Sequence, residues 1–145
     1  MATTDTSGIK GTVVAELRGP DGELKARCVT HNLVTAVGDQ FYAGRAALAS
    51  GLPAQVTGFR LGAGSTAVAK TGTGAAIVTY LAGSNKANDA TFPTAVAGVV
   101  TWKRTYAAGE ATTASPITEV VLNTVSIVAA AVVAVSSATI TEGNA

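Results

Sequence analysis

Cys28 and His31 are the only cysteine and the only histidine in the chain. A thiol beside an imidazole would be a nucleophile with its base. They lie three apart in a stretch that alternates polar and apolar residues. On a strand, that spacing points the two side chains to opposite faces. Cys28 therefore reads as a small core hydrophobe and His31 as a residue at a strand end. One Cys and one His also fall short of a typical structural zinc site. Gly62-Ala63-Gly64-Ser65-Thr66-Ala67 loosely matches the dinucleotide fingerprint, and Gly64 through Ala69-Lys70-Thr71 nearly spells a phosphate loop. Both mechanisms need a helix to begin there, so that its first amides hold the phosphate. Ala69 stands where glycine is required, and Thr71-Gly72-Thr73-Gly74 is poor helix material. The stretch reads as a surface loop.

Most carboxylates fall in turns or on solvent-facing parities. Glu119 is the exception, inside Pro116-Ile117-Thr118-Glu119-Val120-Val121-Leu122. It is expected to pair with Arg104 or Lys103 on a neighbouring strand, a structural rather than catalytic use. Trp102, Lys103, Arg104 and Tyr106 mix basic and aromatic residues, as single-strand nucleic-acid binders do. Trp102, Arg104 and Tyr106 share one parity, and these three types are enriched at protein interfaces. They are the candidate protein–protein contact. No residue set points to catalysis, a cofactor or a metal.

The composition agrees. The chain has 145 residues, a net charge of +1 and only 13% charged residues, which counts against nucleic acid as a partner. Ala, Thr, Val and Gly make up 84 of the 145 positions, so surfaces are built from small side chains and β-formers. A lone cysteine gives no internal disulfide and suits a reducing bacterial-type cytoplasm. The N-terminus has no basic and apolar leader. The most apolar run, residues 125–135, is eleven long and contains Ser126. About 20 residues are needed for a membrane helix, so no membrane role is expected.

Periodicity gives the elements that would position these groups. Residues 1–7 are small and polar and read as a flexible N-terminal arm, with one β-rich domain over 8–145. Residues 8–18 and 23–31 alternate around Gly19-Pro20-Asp21-Gly22, a hairpin with its turn. Val34, Val37, Phe41, Gly44 and Leu48 recur at helical spacing, predicting one α-helix over about 35–50 with Thr35 as N-cap and Gly51 closing it. A short strand is expected at 56–62, a loop at 62–74, an apolar patch at 77–81 that fits strand or turn, and an exposed polar stretch at 83–90. Residues 96–106 read as the clearest strand. The last strands are expected at 117–122 and 125–140. Six to eight strands with one packed helix predict a mainly β fold, a β-sandwich or small barrel.

Three stretches resemble small structural proteins of tailed bacteriophages: His31-Asn32-Leu33-Val34-Thr35 with the helix after it, Leu61-Gly62-Ala63-Gly64-Ser65-Thr66 running on to Val78-Thr79-Tyr80-Leu81, and Trp102 to Glu110 followed by Ile117-Thr118-Glu119. The implied pattern is N-L-V, helix, L-G-x-G-x-T, strand, aromatic-A-x-G-E-A, I-T-E. Similar proteins often continue with a longer hairpin after I-T-E. Here Asn123-Thr124 leads directly into a Val/Ala run. The resemblance implies a virion component without enzymatic activity: a capsid decoration (cement) protein bound to the major capsid protein, or a tail, baseplate or fibre protein. No catalytic residue carries over. Apolar β edges would be covered in a symmetric homo-oligomer such as a trimer. A virion-borne receptor-binding or sugar-binding module is a further alternative, favoured if Trp102 and Tyr106 form an exposed cluster.

Overall fold

The computed structural model describes residues 8–111, 113, 115–123 and 132–140. The arm expected at residues 1–7 lies outside them. The first hairpin forms as its alternation requires. β1 (Gly11–Arg18) pairs antiparallel with β2 (Leu24–Val34). In the turn, the Gly22 N–H donates to Gly19 O, and Asp21 Oδ1 accepts from the Glu23 N–H. β2 outruns its partner, and Leu33 and Val34 pair instead with β8 (Val132–Ile140).

Helix α1 (Ala36–Ala47) follows at once. The buried Thr35 hydroxyl accepts from the Gly38 N–H at 3.0 Å, so the expected N-cap is in place. The carbonyl of Lys70 accepts from the Ala36 N–H, and the Lys70 ammonium meets Asp39 in the first turn at 2.6 Å. The helix ends at Leu48, before Gly51. Its buried residue is Gly38, and Val37 and Leu48 are about half exposed. The predicted apolar stripe is therefore only partly covered.

β3 (Gly58–Gly62) pairs with β7 (Ile117–Asn123) and with the two-residue β4 (Lys86–Ala87). β7 also pairs with β8. The antiparallel order is β1-β2-β8-β7-β3-β4, with β7 flanked on both sides. The strands do not close on themselves, and β1 and β4 are open edges. The fold is mainly β with one helix, as expected, but no barrel closes among the described strands. The core gathers on β7 and β3: Leu61, Val120 and Ala111 are buried, with Val13, Phe59, Leu81, Tyr106 and Ile117 packed around them.

Two expectations are corrected. Residues 96–106 are not one strand. Val96 ends β5 (Thr94–Val96), and only Val99–Thr101 forms β6, its hairpin partner. The turn residues Ala97 and Gly98 have φ of 49° and 78°, the doubly left-handed turn that closes a two-residue hairpin. The run looked continuous because alanine is not a usual signal for that turn. The stretch expected to be exposed at 83–90 instead contains β4 and the fully buried Ser84. Ser84 Oγ accepts from the Leu61 N–H at 3.0 Å and donates to Leu61 O at 3.2 Å, taking the place of a strand beside β3. Of the last predicted strand, residues 124–131 lie outside the described residues.

Replacing Thr35 with alanine removes the acceptor for the Gly38 amide. We expect a loss of about 1 kcal/mol in denaturant unfolding, and T35S to recover most of it.

Candidate functional site

Two pieces of the sequence pattern, L-G-x-G and I-T-E, meet in space, and the meeting point is Glu119. Its carboxylate is buried, only 4% exposed, on the central strand β7. Opposite it in register on β3 stands Gly62, and beyond Gly62 the chain bridges to Tyr80. Oε2 accepts from the Gly64 N–H at 2.9 Å and the Thr79 N–H at 3.2 Å, and Oε1 from the Val78 N–H at 3.0 Å. The neighbouring Thr118 hydroxyl donates to Gly64 O at 2.5 Å. A Cβ at position 62 would lie 2.4 Å from Glu119 Oε2, and one at position 64 would lie 2.7 Å from its Cδ. Only glycine leaves the space. The G-x-G and I-T-E stretches are thus two halves of one contact: the glycines make room and the carboxylate satisfies the loop backbone. Sequence reasoning singled out Glu119 but gave it the wrong partner. It meets backbone amides of residues 64, 78 and 79, not Arg104 or Lys103.

The aromatic-A-x-G-E-A stretch closes on itself. Glu110 accepts from Lys86 at 2.8 Å, from Arg104 at 2.8 Å and from the Ala107 N–H at 3.0 Å. The Lys86 ammonium, helped by the Ala107 amide and by Arg104, holds the Glu110 carboxyl well below the usual range, at about 2. Asp89 accepts from the Thr105 N–H at 2.9 Å and the Thr105 hydroxyl at 2.7 Å, which lowers its carboxyl as well. These bonds hold residues 103–105 extended without a strand beside them. Tyr106 donates to Ser84 O at 2.7 Å beneath the Arg104 guanidinium, and its burial pushes the phenol up.

The three candidate contact residues therefore share a half-buried face but divide in their surroundings. Arg104 and Tyr106 are engaged inside the fold. Trp102 instead lines an open cleft of about 240 Å³ with Phe41, Tyr42, Arg45, Val56 and Pro93. Phe41 and Tyr42 meet edge to face at 5.2 Å. The sequence reading used Phe41 only as a helix-stripe residue and did not connect α1 with Trp102, which lies some sixty positions later.

The other sequence candidates stay apart. His31 is exposed, whereas Cys28 is half-buried on the opposite face of β2. The loop after β3 runs into a short 3₁₀ turn at Thr73–Ala75, so no α-helix N-terminus faces Gly62 or Gly64. Among the described residues, no three His, Cys, Asp or Glu side chains cluster as metal ligands, and no helix is long and apolar enough to cross a membrane. No family model, curated protein or solved structure matches the chain.

E119Q should destabilise the fold by roughly 2–4 kcal/mol, because its amide NH₂ faces buried N–H groups that need acceptors. G64A should be costly in the native background and much less so beside E119A, a non-additivity that a double-mutant cycle in urea would reveal. Acid unfolding tests the second cluster. Glu110 is depressed in the folded state from 4.5 to about 2, so its contribution is present above pH 4.5 and is lost as pH falls toward 2. E110Q should flatten the stability profile across that window.

Proposed function

We propose that this chain is a non-enzymatic structural protein of a tailed-bacteriophage virion, and specifically a capsid decoration (cement) protein that binds and stabilises the major capsid shell. The observation that carries the reading is exposed apolar surface raised on two hairpins. On β5–β6, Val96 is 72% and Val99 64% exposed, with Val100 beside them. No charged residue occurs from Ala90 to Trp102. On β1–β2, Val14 and Val29 face each other across the strands, and each is half exposed. Apolar side chains raised on hairpins are contact surface. The resemblance of the three sequence stretches to phage structural proteins supports the same reading.

A homo-oligomer, such as a trimer, would cover part of this surface and the open edge of β1. A second β layer supplied by a neighbour would give the sandwich that the described strands do not complete. A tail, baseplate or fibre protein would need the same adhesive surface. The engaged Tyr106 hydroxyl gives no support to a stacked sugar platform formed with Trp102.

The test is antibody labelling of purified virions under the electron microscope. Label over the head facets is the expected result, and label confined to the tail would move the protein there. Absence of label, with the protein present in infected cells, would end the virion reading. If decoration holds, V96D/V99D should fold normally by circular dichroism yet bind stripped heads at least about tenfold more weakly, because a buried interface leaves the new charges unpaired.

A further inference from the structure

The cleft beside Trp102 has a mainly apolar lining, with one side-chain amide, Gln55, and a single cation. Arg45 reaches it from the last turn of α1, its guanidinium 5.7 Å from the centre of the Phe41 ring. A guanidinium carries five donors. Arg18, Lys70, Lys86 and Arg104 all meet carboxylates. Among the described residues none accepts a hydrogen bond from Arg45, and its Nε is buried without a partner. An unmatched buried donor is costly until an acceptor arrives. The planar fork of arginine fits a carboxylate with two parallel bonds. Phe41, Pro93 and Trp102 offer an apolar lining beside it. At about 240 Å³ the space is below that of a drug-sized pocket and suits one large side chain.

We propose that this cleft docks a partner polypeptide through one large apolar side chain set beside a carboxylate, with the side chain against Phe41 and Trp102 and the carboxylate on Arg45. The choice of a polypeptide as the source rests on the adhesive role proposed above. It is also supported by position. Pro93 and Trp102 immediately flank the β5–β6 hairpin, so the cleft adjoins the base of a two-stranded sheet that carries the exposed Val96, Val99 and Val100. Extended segments bind to the edges of such sheets through their backbone.

Trp102 is the only tryptophan, so its emission reports on this cleft in the full-length protein. Four probes decide the matter: N-acetyl-phenylalanine, its carboxamide, the tripeptide N-acetyl-Ala-Val-Phe with a free carboxylate, and methyl glucoside. We expect saturable changes with the acid, at least about tenfold weaker binding of the carboxamide, and tighter binding of the tripeptide than of the single residue. R45Q should abolish the preference for acid over amide while its melting and circular dichroism stay native, and R45K should keep part of it. Equal affinity for acid and amide, or an unchanged preference in R45Q, overturns the role of Arg45. A tripeptide no tighter than the single residue makes the ligand a free small acid and overturns the polypeptide source. Saturation by glucoside alone makes the cleft a sugar site. If no probe binds while the protein labels phage heads, the docking chemistry fails and the structural role stands.

Discussion

The Glu119 carboxylate is the constraint on which the middle of the fold depends. β3 has β7 on one side, but on its other side it has only the two-residue β4 and an irregular chain. A strand edge left against irregular backbone strands its amides, and buried amides without acceptors are expensive. Glu119 resolves this from the far side of β3. Its side chain passes over Gly62 and takes the amides of residues 64, 78 and 79. Ser84 does the same for Leu61 further along the strand. These two polar side chains supplement the backbone bonds that the chain around Tyr80 makes with this edge, from the Leu81 N–H to Leu61 O and from the Ala63 N–H to Thr79 O.

This arrangement explains what could be read in the sequence and what could not. Local rules sufficed where partners are close in the chain. The β1–β2 hairpin follows from period-two alternation around Gly19-Pro20-Asp21-Gly22, and the start of α1 follows from Thr35. They failed where a distant residue substitutes for a local one. Residues 102–106 alternate like a strand and bury like one, yet the Asp89 side chain supplies the bond to Thr105 that a neighbouring strand would have made. Ser84 sits in a small, polar stretch that resembles a solvent loop, and its burial is set by Leu61, twenty-three residues earlier. The two glycines at 62 and 64 were legible as a pattern, but their reason lies fifty-five residues on, at Glu119. Periodicity carries no information about which carboxylate will fill a gap.

The charges divide in a way that bears on function. Glu16 bridges Arg18 and Arg27 on the first hairpin, Asp39 holds Lys70, and Glu110 holds Lys86 and Arg104. The exposed pairs among these, on the first hairpin and between Asp39 and Lys70, add little stability individually. Their effect is on the surface: with so many charges satisfied within the chain, the β5–β6 hairpin faces outward without any. Arg45 departs from that pattern. It stands in the aromatic cleft at the foot of this hairpin, which places the unmatched cation and the most exposed valines on neighbouring parts of the molecule.

A fold organised in this way has reason to associate. Among the described residues the buried apolar ones are mostly small (Val34, Val56, Leu61, Ala111, Val120 and Val121), while larger apolar side chains such as Ile9, Leu24, Leu48 and Leu52 stand about half exposed. Burial at about 25 cal/mol per Å² is the main favourable term in folding, so much of what this chain could gain remains unused while those side chains face water. The polar staples around Glu119 and Glu110 fix the loop beside β3 and the extended chain beside β4. They leave the hairpins free to spend their apolar surface elsewhere. The same small side chains make the β5–β6 hairpin uncharged, which suits close packing against a neighbouring subunit. The small buried side chains of β3 and β7 and the exposed, uncharged surface of β5–β6 have one cause, a composition dominated by Ala, Val, Thr and Gly.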